Sequence, residues 1–141
     1  MKLSDNFTLE EMEFSKTAIE RGIKNKANDN IIFNLKLMCE NLLEALRSEL
    51  KCSIKISSGY RCPELNKAVG GRENSKHTKG QAVDIYVDKF SPFELFNYIK
   101  NNKNIFDYDQ LIFEKTKNKK WIHISYLSKE ENRKQDFIME F

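Results

Sequence analysis

Apolar side chains recur at helical spacing in one long stretch of the chain and alternate with polar side chains in several short ones. From about Asn30 to Leu50 the apolar positions fall every three or four residues, as in a helix that lays one stripe on a core. This spacing predicts the main structural helix. The stripe consists of Leu35, Met38, Cys39, Leu42, Leu43, Leu46 and Leu50.

Three shorter helices are predicted from residues that favour a helix N-terminus. Each begins with a capping box, with a proline at the first helical position, or with both. The first helix begins after Thr8, with Glu11 completing the capping box, and ends before Gly22. The second follows Pro63 and runs from Glu64 to Val69. The third begins at Ser91, Pro92 and Glu94 and continues to about Lys100.

Alternation of apolar and polar positions predicts strands at residues 53–57, 83–87, 109–114 and 121–126, with an edge strand at 137–141. A lysine-rich turn joins the third and fourth of these as a β-hairpin. Helices come first and are followed by strands interleaved with helices. The order predicts an α+β fold with a mainly antiparallel sheet and the N-terminal helices packed on one face.

Length and composition limit the possible classes of protein. A chain of 141 residues is expected to form a single domain spanning residues 1–141, and 40% hydrophobic with 32% charged residues is typical of a soluble globular protein. The net charge of +3 is mild and no nucleic-acid-reading motif is present, so no nucleic-acid partner is expected. No signal peptide and no membrane-spanning run are visible. We therefore expect a monomer that is cytoplasmic as synthesised and does not insert into a membrane.

The three cysteines have no CxxC spacing, which suits reduced thiols. Cys39 lies on the helical stripe and is predicted to be in the core. Cys52 and Cys62 flank a strand and a turn near the candidate site, so a thiol ligand or a disulfide is the alternative to two ordinary free cysteines.

The candidate chemistry lies in the only two histidines and one aspartate. Asp84 interrupts an apolar run, and strand alternation turns it away from the core. A turn at Gly80 can bring His77 back beside Asp84, and His123 lies in a second alternating segment. Two imidazoles and one carboxylate leave a fourth position open, as in catalytic zinc sites. We therefore predict that His77, Asp84 and His123 bind Zn2+ on the sheet face opposite the helices.

The hairpin register tests which side chains share that face. If Glu114 faces Trp121, then Ile112 faces His123 and Gln110 faces Ser125, while the apolar residues fall on the other side. Glu114 is therefore the candidate general base. The alternative is an ordinary strand-end glutamate beside a basic turn.

Further candidates would contact substrate. Arg61 follows a tight Ser-Gly-Tyr turn, where a guanidinium can clamp a carboxylate or steady an oxyanion. Ser75 can orient the loop before His77 or bind substrate, and a purely structural role is its alternative. The predicted substrate contacts are Tyr60, Arg61, Ser75, Gln110 and Trp121.

Four ordered segments resemble the successive signatures of the zinc D-Ala-D-Ala carboxypeptidase and L-alanyl-D-glutamate endopeptidase family of peptidoglycan peptidases, which includes phage endolysins. The segments are Ser57–Arg61, Leu65–Gly71, Ser75–Asp84 and Trp121–Ser125. The resemblance implies His77, Asp84 and His123 as zinc ligands and Arg61 as a substrate-binding or oxyanion-stabilising residue.

One position departs from the family pattern. Several members carry an acidic base three residues before the last histidine ligand, where this chain has Lys120. Glu114 instead resembles the glutamate that precedes the final zinc histidine in the related Hedgehog signalling domain. A zinc-bearing fold of this type need not be an active peptidase.

These observations predict a zinc metallopeptidase that hydrolyses a peptide bond in peptidoglycan stem peptides, with metal-activated water and Glu114 as general base. The bond can be D-Ala-D-Ala, L-Ala-D-Glu or a cross-link. The alternatives are a catalytically inactive, zinc-stabilised module that binds cell-wall peptides, and a structural component of a phage particle.

Overall fold

A computed structural model describes all residues from Met1 to Phe141, and in it helices cover one face of a five-stranded sheet. The strands are β1 Lys2–Ser4, β2 Phe7–Thr8, β3 Lys55–Ser58, β4 Ala82–Tyr86, β5 Gln110–Lys115, β6 Lys120–Ser125 and β7 Gln135–Glu140. The helices are α1 Leu9–Glu13, α2 Lys16–Arg21, α3 Asp29–Met38, α4 Glu44–Leu50, α5 Pro63–Ala68 and α6 Pro92–Asn101. A π-helical turn, Cys39–Leu43, joins α3 to α4, and a 3-10 turn covers Lys76–Lys79.

The main sheet has the order β3-β4-β6-β5-β7 and is mixed. Three of its strand pairs are antiparallel, and only β7 joins its neighbour β5 in parallel. The predicted α+β class with a mainly antiparallel sheet is confirmed, with this one parallel edge. Its direction follows from Arg133, whose backbone and side chain bind Asp109 immediately before β5, so that β7 starts where β5 starts.

The core lies between the sheet and the long helical segment. Every residue of the predicted stripe is buried there. The stripe belongs to one hydrophobic cluster with the inward side chains of the central strands, because strand alternation directs every second residue to the same face. These inward residues are Val83, Ile85, Leu111, Phe113, Ile122 and Ile124. The opposite face of β4 and β6 therefore carries Asp84 and His123.

The N-terminal region differs from the prediction in two ways. The single helix expected before Gly22 is split into α1 and α2, because Phe14 ends the first in an extended conformation and Ser15 caps the second by accepting a hydrogen bond from the Ala18 amide. The small β1–β2 hairpin was not predicted. It is held to α4 by the Glu44 carboxylate, which accepts hydrogen bonds from Ser4 and Asn6.

The remaining elements agree with the sequence patterns. Both capping boxes form, and α5 and α6 begin at the predicted prolines. None of the helices combines the length and the apolar character that crossing a bilayer requires.

Candidate metal centre

A short turn with fixed ends positions His77 in the site. Ser75 caps the 3-10 turn, its hydroxyl accepting a hydrogen bond from the His77 amide at 3.2 Å. Gly80 ends the turn with φ of 70°, a conformation that favours glycine. A Cβ at Gly80 would also lie 2.7 Å from the Ile31 side chain. The turn therefore seats His77, only 2% exposed, against the sheet.

Asp84 and His123 are directly opposite one another on the antiparallel strands β4 and β6. The Oδ1 atom of Asp84 lies 3.3 Å from Nε2 of His77 and 3.4 Å from Nδ1 of His123. The three potential ligand atoms all lie within 4.8 Å of one another. The structure thus brings the three predicted ligands together on one face of the sheet.

The arrangement fits a divalent metal ion. Oδ1 of Asp84 is buried and has no hydrogen-bond partner, although buried polar atoms are nearly always partnered. Tetrahedral zinc with bonds of about 2.0–2.1 Å separates its ligand atoms by roughly 3.3 Å, which matches the two spacings from Oδ1 of Asp84 to the histidine nitrogens. Two imidazole nitrogens and one carboxylate oxygen are also a donor set that zinc accepts.

The tautomer of His77 is set by its neighbour on the other side. Its Nδ1 lies 2.8 Å from the carbonyl oxygen of Gly59. Because a carbonyl only accepts, Nδ1 carries the proton and Nε2 presents a lone pair towards Asp84. Gly59 is itself packed on α1: a Cβ there would overlap the backbone of Met12, and the next amide, that of Tyr60, donates to the Met12 carbonyl at 2.7 Å.

The charge state of Asp84 also suits a ligand. Burial by itself opposes ionisation of this carboxyl group. The neighbouring His77 and His123 favour the ionised form more strongly and hold the pKa of Asp84 below its ordinary value. The carboxylate is therefore ionised throughout the neutral range.

Arg61 lies beside the triad with unused donors. Its backbone amide binds the carbonyl of His77, and its Nη2 lies 3.5 Å from the Ser75 hydroxyl. The Nε atom is buried and has no partner. Burial lowers the pKa of Arg61, while the nearby charges of Asp84 and Glu114 raise it. A guanidinium beside the triad can bind an anionic group of a ligand.

Glu114 and Trp121 form a pair across the β5–β6 hairpin, and the predicted register is confirmed. The indole Nε1 of Trp121 donates to Oε2 of Glu114 at 2.6 Å. In this register Ile112 lies opposite His123, so Glu114 is a diagonal neighbour of His123 on the same face. Such neighbours lie about 7–8 Å apart, within reach of long side chains.

The remaining residues predicted to contact substrate or metal do not all face the open side of the site. Tyr60 is 5% exposed and belongs to the hydrophobic core, so its ring is not on the open face of the site. Gln110 lies on the site face, but its side-chain amide binds Gln135 of β7. Cys39, Cys52 and Cys62 are free thiols, and none belongs to the metal-ligating group, so neither a disulfide nor a thiol ligand is formed.

A groove of about 590 Å³ starts at Asp84 and runs towards the hairpin tip. Its polar wall comes from Ser57 and Ser58 at the end of β3, and its basic wall from Lys119 and Lys120. The remaining lining residues are Ile85, Tyr86, Pro92, Asn118 and Trp121. The groove gives an extended ligand access to Asp84, the one residue of the triad that lines it.

Two supporting residues were not identified from the sequence. The Gly59 carbonyl orients His77, and the ring of Phe141 stacks on Trp121 at a centroid distance of 6.3 Å and an interplanar angle of 5°. The tight Ser-Gly-Tyr turn is a signal that could have indicated Gly59. No local pattern links Phe141 to Trp121, because their contact depends on how β7 joins the sheet.

Comparison with known proteins assigns the family. None of the curated proteins compared with the chain matches it. A sequence model of the family described as Peptidase M15 matches residues 5–125. The matched segment contains all three potential metal ligands, Arg61 and Glu114, and it ends at the last residue of β6. The chain therefore belongs to the peptidase M15 family.

Proposed function

We propose that the protein is a zinc metallopeptidase that hydrolyses a peptide bond in the stem peptides of bacterial peptidoglycan. The observation that carries the proposal is the buried, unpartnered Oδ1 of Asp84, which lies between the nitrogens of His77 and His123. Membership of a peptidase family supports hydrolysis as the reaction. The peptidoglycan substrate is supported by the resemblance of four segments to the signatures of peptidoglycan peptidases; the segments are Ser57–Arg61, Leu65–Gly71, Ser75–Asp84 and Trp121–Ser125.

His77, Asp84 and His123 would hold the metal ion. A zinc ion bound there supplies a Lewis acid that polarises a carbonyl group and allows water to ionise near neutral pH. Asp84 contributes negative charge to the site, and the Gly59 carbonyl keeps the lone pair of His77 directed inward.

Glu114 serves as the general base. Its Oε2 is held by the Trp121 indole, which leaves Oε1 to accept a proton from the attacking water and return it to the leaving amine. Arg61 binds a substrate carboxylate or the developing oxyanion with its guanidinium group. Ser75 positions this guanidinium and the His77 turn.

The groove suits an anionic peptide. Lys115 at the hairpin is paired with Glu140, whereas Lys119 and Lys120 in the groove wall have no acidic partner. Stem peptides that contain D-glutamate carry carboxylates, which these two ammonium groups can attract. The hydroxyls of Ser57 and Ser58 can bind peptide groups on the other wall.

A second candidate function is a zinc-stabilised module that binds cell-wall peptides without cutting them. The observation in its favour is Lys120, which occupies the position where several members of the family carry an acidic base. If no other residue replaces that base, the metal site alone would serve structure and binding.

Digestion of purified peptidoglycan distinguishes the two candidates. We expect the purified protein to contain zinc and to release new amine termini, and we expect a chelator to abolish the release. Mass spectrometry of the fragments identifies the bond. Glu114→Gln should abolish turnover while zinc content stays unchanged, and Glu130→Gln, on an exposed turn, should behave as wild type. Zinc binding without new termini would favour the binding module, and absence of both would refute the peptidase.

A further inference from the structure

Strand β7 extends the face of the sheet that carries the candidate metal site. It pairs with β5 in parallel, placing Phe137 beside Ile112 and Met139 beside Glu114. These side chains share the site face because neighbouring residues in register point to the same side of a sheet. The strand lies beyond Ser125, where the family match ends. Strand β7 therefore lies outside the matched segment, yet it contributes side chains to the surface that carries the candidate site.

The end of this strand is fixed by three contacts. The Phe141 amide donates to the Lys115 carbonyl at 3.0 Å, and the Glu140 carboxylate forms an ion pair with the Lys115 ammonium at 3.0 Å. The Phe141 ring stacks on Trp121 with nearly parallel planes. The centroid distance of 6.3 Å lies within the range of favourable aromatic pairs. Phe141 is nevertheless 64% exposed, so the ring contributes little to the core.

Trp121 links the Phe141 ring to Glu114, because its indole contacts both residues. An indole has one polar group, the Nε1 donor, and here it binds Oε2 of Glu114 at 2.6 Å. A hydrogen bond this short to a carboxylate depends on the orientation of the ring that donates it. Phe141 lies against one side of that ring and limits its rotation.

We propose that Phe141 and Trp121 are positioning residues that hold the Glu114 carboxylate in the orientation needed for proton transfer. The inference rests on the proposed function, because it assigns Glu114 as the general base. Phe141 restrains the indole, the indole occupies Oε2, and Oε1 is presented to the site. Trp121 thereby has a role besides lining the substrate groove.

The test compares two aromatic substitutions with a control on the same strand. Phe141→Ala removes the stacking ring, Phe141→Tyr retains it, and Ile138→Ala shortens an apolar side chain that is 51% exposed on the opposite face of β7. With zinc-loaded proteins and peptidoglycan fragments, we expect Phe141→Ala to lower kcat by about two- to tenfold with KM and zinc content unchanged. Phe141→Tyr and Ile138→Ala should retain the wild-type kcat.

Fluorescence supplies a readout that does not depend on activity. Trp121 is the only tryptophan, so emission reports this ring alone. We expect Glu114→Gln and Phe141→Ala to shift the emission in the same direction and Phe141→Tyr to restore it. An unchanged emission spectrum in Phe141→Ala, or an unchanged kcat despite a shifted spectrum, would overturn the proposal. Equal losses of kcat in Phe141→Ala and Ile138→Ala would also overturn it, since they would indicate general weakening of the strand.

Failure of the proposed function has a different signature. In that case zinc-loaded wild-type protein leaves peptidoglycan uncut. The emission comparison among wild type, Glu114→Gln and Phe141→Ala still decides whether Phe141 holds the contact between Trp121 and Glu114.

Discussion

The indole nitrogen of Trp121 lies 2.6 Å from a carboxylate oxygen of Glu114, and the two residues face each other directly across the β5–β6 hairpin. The pair lies next to the proposed metal ligand His123 on the same face of the sheet. This contact joins a side chain of the groove wall to the proposed base. Changes in the indole should therefore affect turnover more than ligand binding.

Replacement of Trp121 by phenylalanine removes the donor while keeping an aromatic ring to stack on Phe141. We expect kcat to fall by about tenfold, because a hydrogen bond to a charged group contributes about 1.5–3 kcal/mol and part of that is recovered by water. Zinc content should not change. Steady-state kinetics and metal analysis measure both quantities, and loss of zinc in this variant would contradict the assignment.

Asp84→Asn tests the metal site with little change in shape. The substitution removes the negative charge between the two imidazoles and weakens a ligand atom. We expect the zinc content of the purified protein to fall from about one ion per chain to a small fraction. The matched control is Asp88→Asn, which alters an exposed aspartate paired with Lys55. Full zinc occupancy in Asp84→Asn would exclude Asp84 as a ligand.

Gly59→Ala tests the support of His77. A methyl group at this position overlaps the Met12 backbone, so the strand end must move and carry its carbonyl away from Nδ1 of His77. We expect the free energy of unfolding to fall by about 1–3 kcal/mol and the zinc affinity to fall by about 10- to 100-fold.

Gly22→Ala separates those two effects. Gly22 has φ of 66° and open space around it, so alanine is strained there but touches nothing in the site. It should lose about 1 kcal/mol of stability and keep its zinc affinity. Equal zinc affinities in the Gly59→Ala and Gly22→Ala proteins would remove the proposed role of the Gly59 carbonyl.

The ion pair of Asp109 and Arg133 should make stability depend on pH. Burial alone raises the pKa of Asp109, but two hydrogen bonds from the Arg133 guanidinium and one from its backbone amide hold that pKa below its ordinary value. A carboxyl group with a lowered pKa in the folded state stabilises the fold above its unfolded-state pKa of about 3.9. This stabilisation is lost as the pH falls below about 4.

Asp109→Asn should therefore lower the free energy of unfolding by about 1–3 kcal/mol at neutral pH and flatten the loss of Tm below pH 4. Thermal unfolding of the metal-free protein between pH 3 and pH 7 measures this, with the exposed Asp5→Asn as control. A variant whose Tm falls with acid as steeply as that of the wild type would show that another group is responsible.

The lysines of the groove should affect recognition of anionic substrates. Lys119→Glu reverses the charge of a groove residue, whereas Lys117→Glu makes the same change at a position of the hairpin tip outside the groove lining. We expect Lys119→Glu to raise KM several-fold for stem-peptide fragments at low salt, and we expect the difference to shrink as salt is added. Equal KM values for the two variants would remove Lys119 from substrate recognition.

The sequence predicted the central strands and the shared faces of the hairpin well, because a slip of one residue would turn the apolar side chains of one strand away from the core. The predicted hairpin register also indicated the shared face of Glu114 and His123. The direction of β7 could not be predicted in this way, since alternation is the same in parallel and antiparallel strands. It depends on the pairing of Arg133 with Asp109, which are 24 positions apart.

Other features depended on contacts that no local pattern contains. The β1–β2 hairpin is held by Glu44, about 40 positions away. Tyr60 follows a glycine that is pressed against α1, which turns its ring into the core rather than towards the groove. Phe141 reaches Trp121 only because β7 is parallel to β5.

The three potential ligands are divided between two kinds of support. Asp84 and His123 are anchored in paired central strands, so their positions are set before any ion arrives, whereas His77 belongs to a single 3-10 turn between Ser75 and Gly80. Capture of a cation would fasten that turn to the sheet. Amide hydrogen exchange should accordingly slow on metal loading in residues 75–80 and remain nearly constant along β4 and β6.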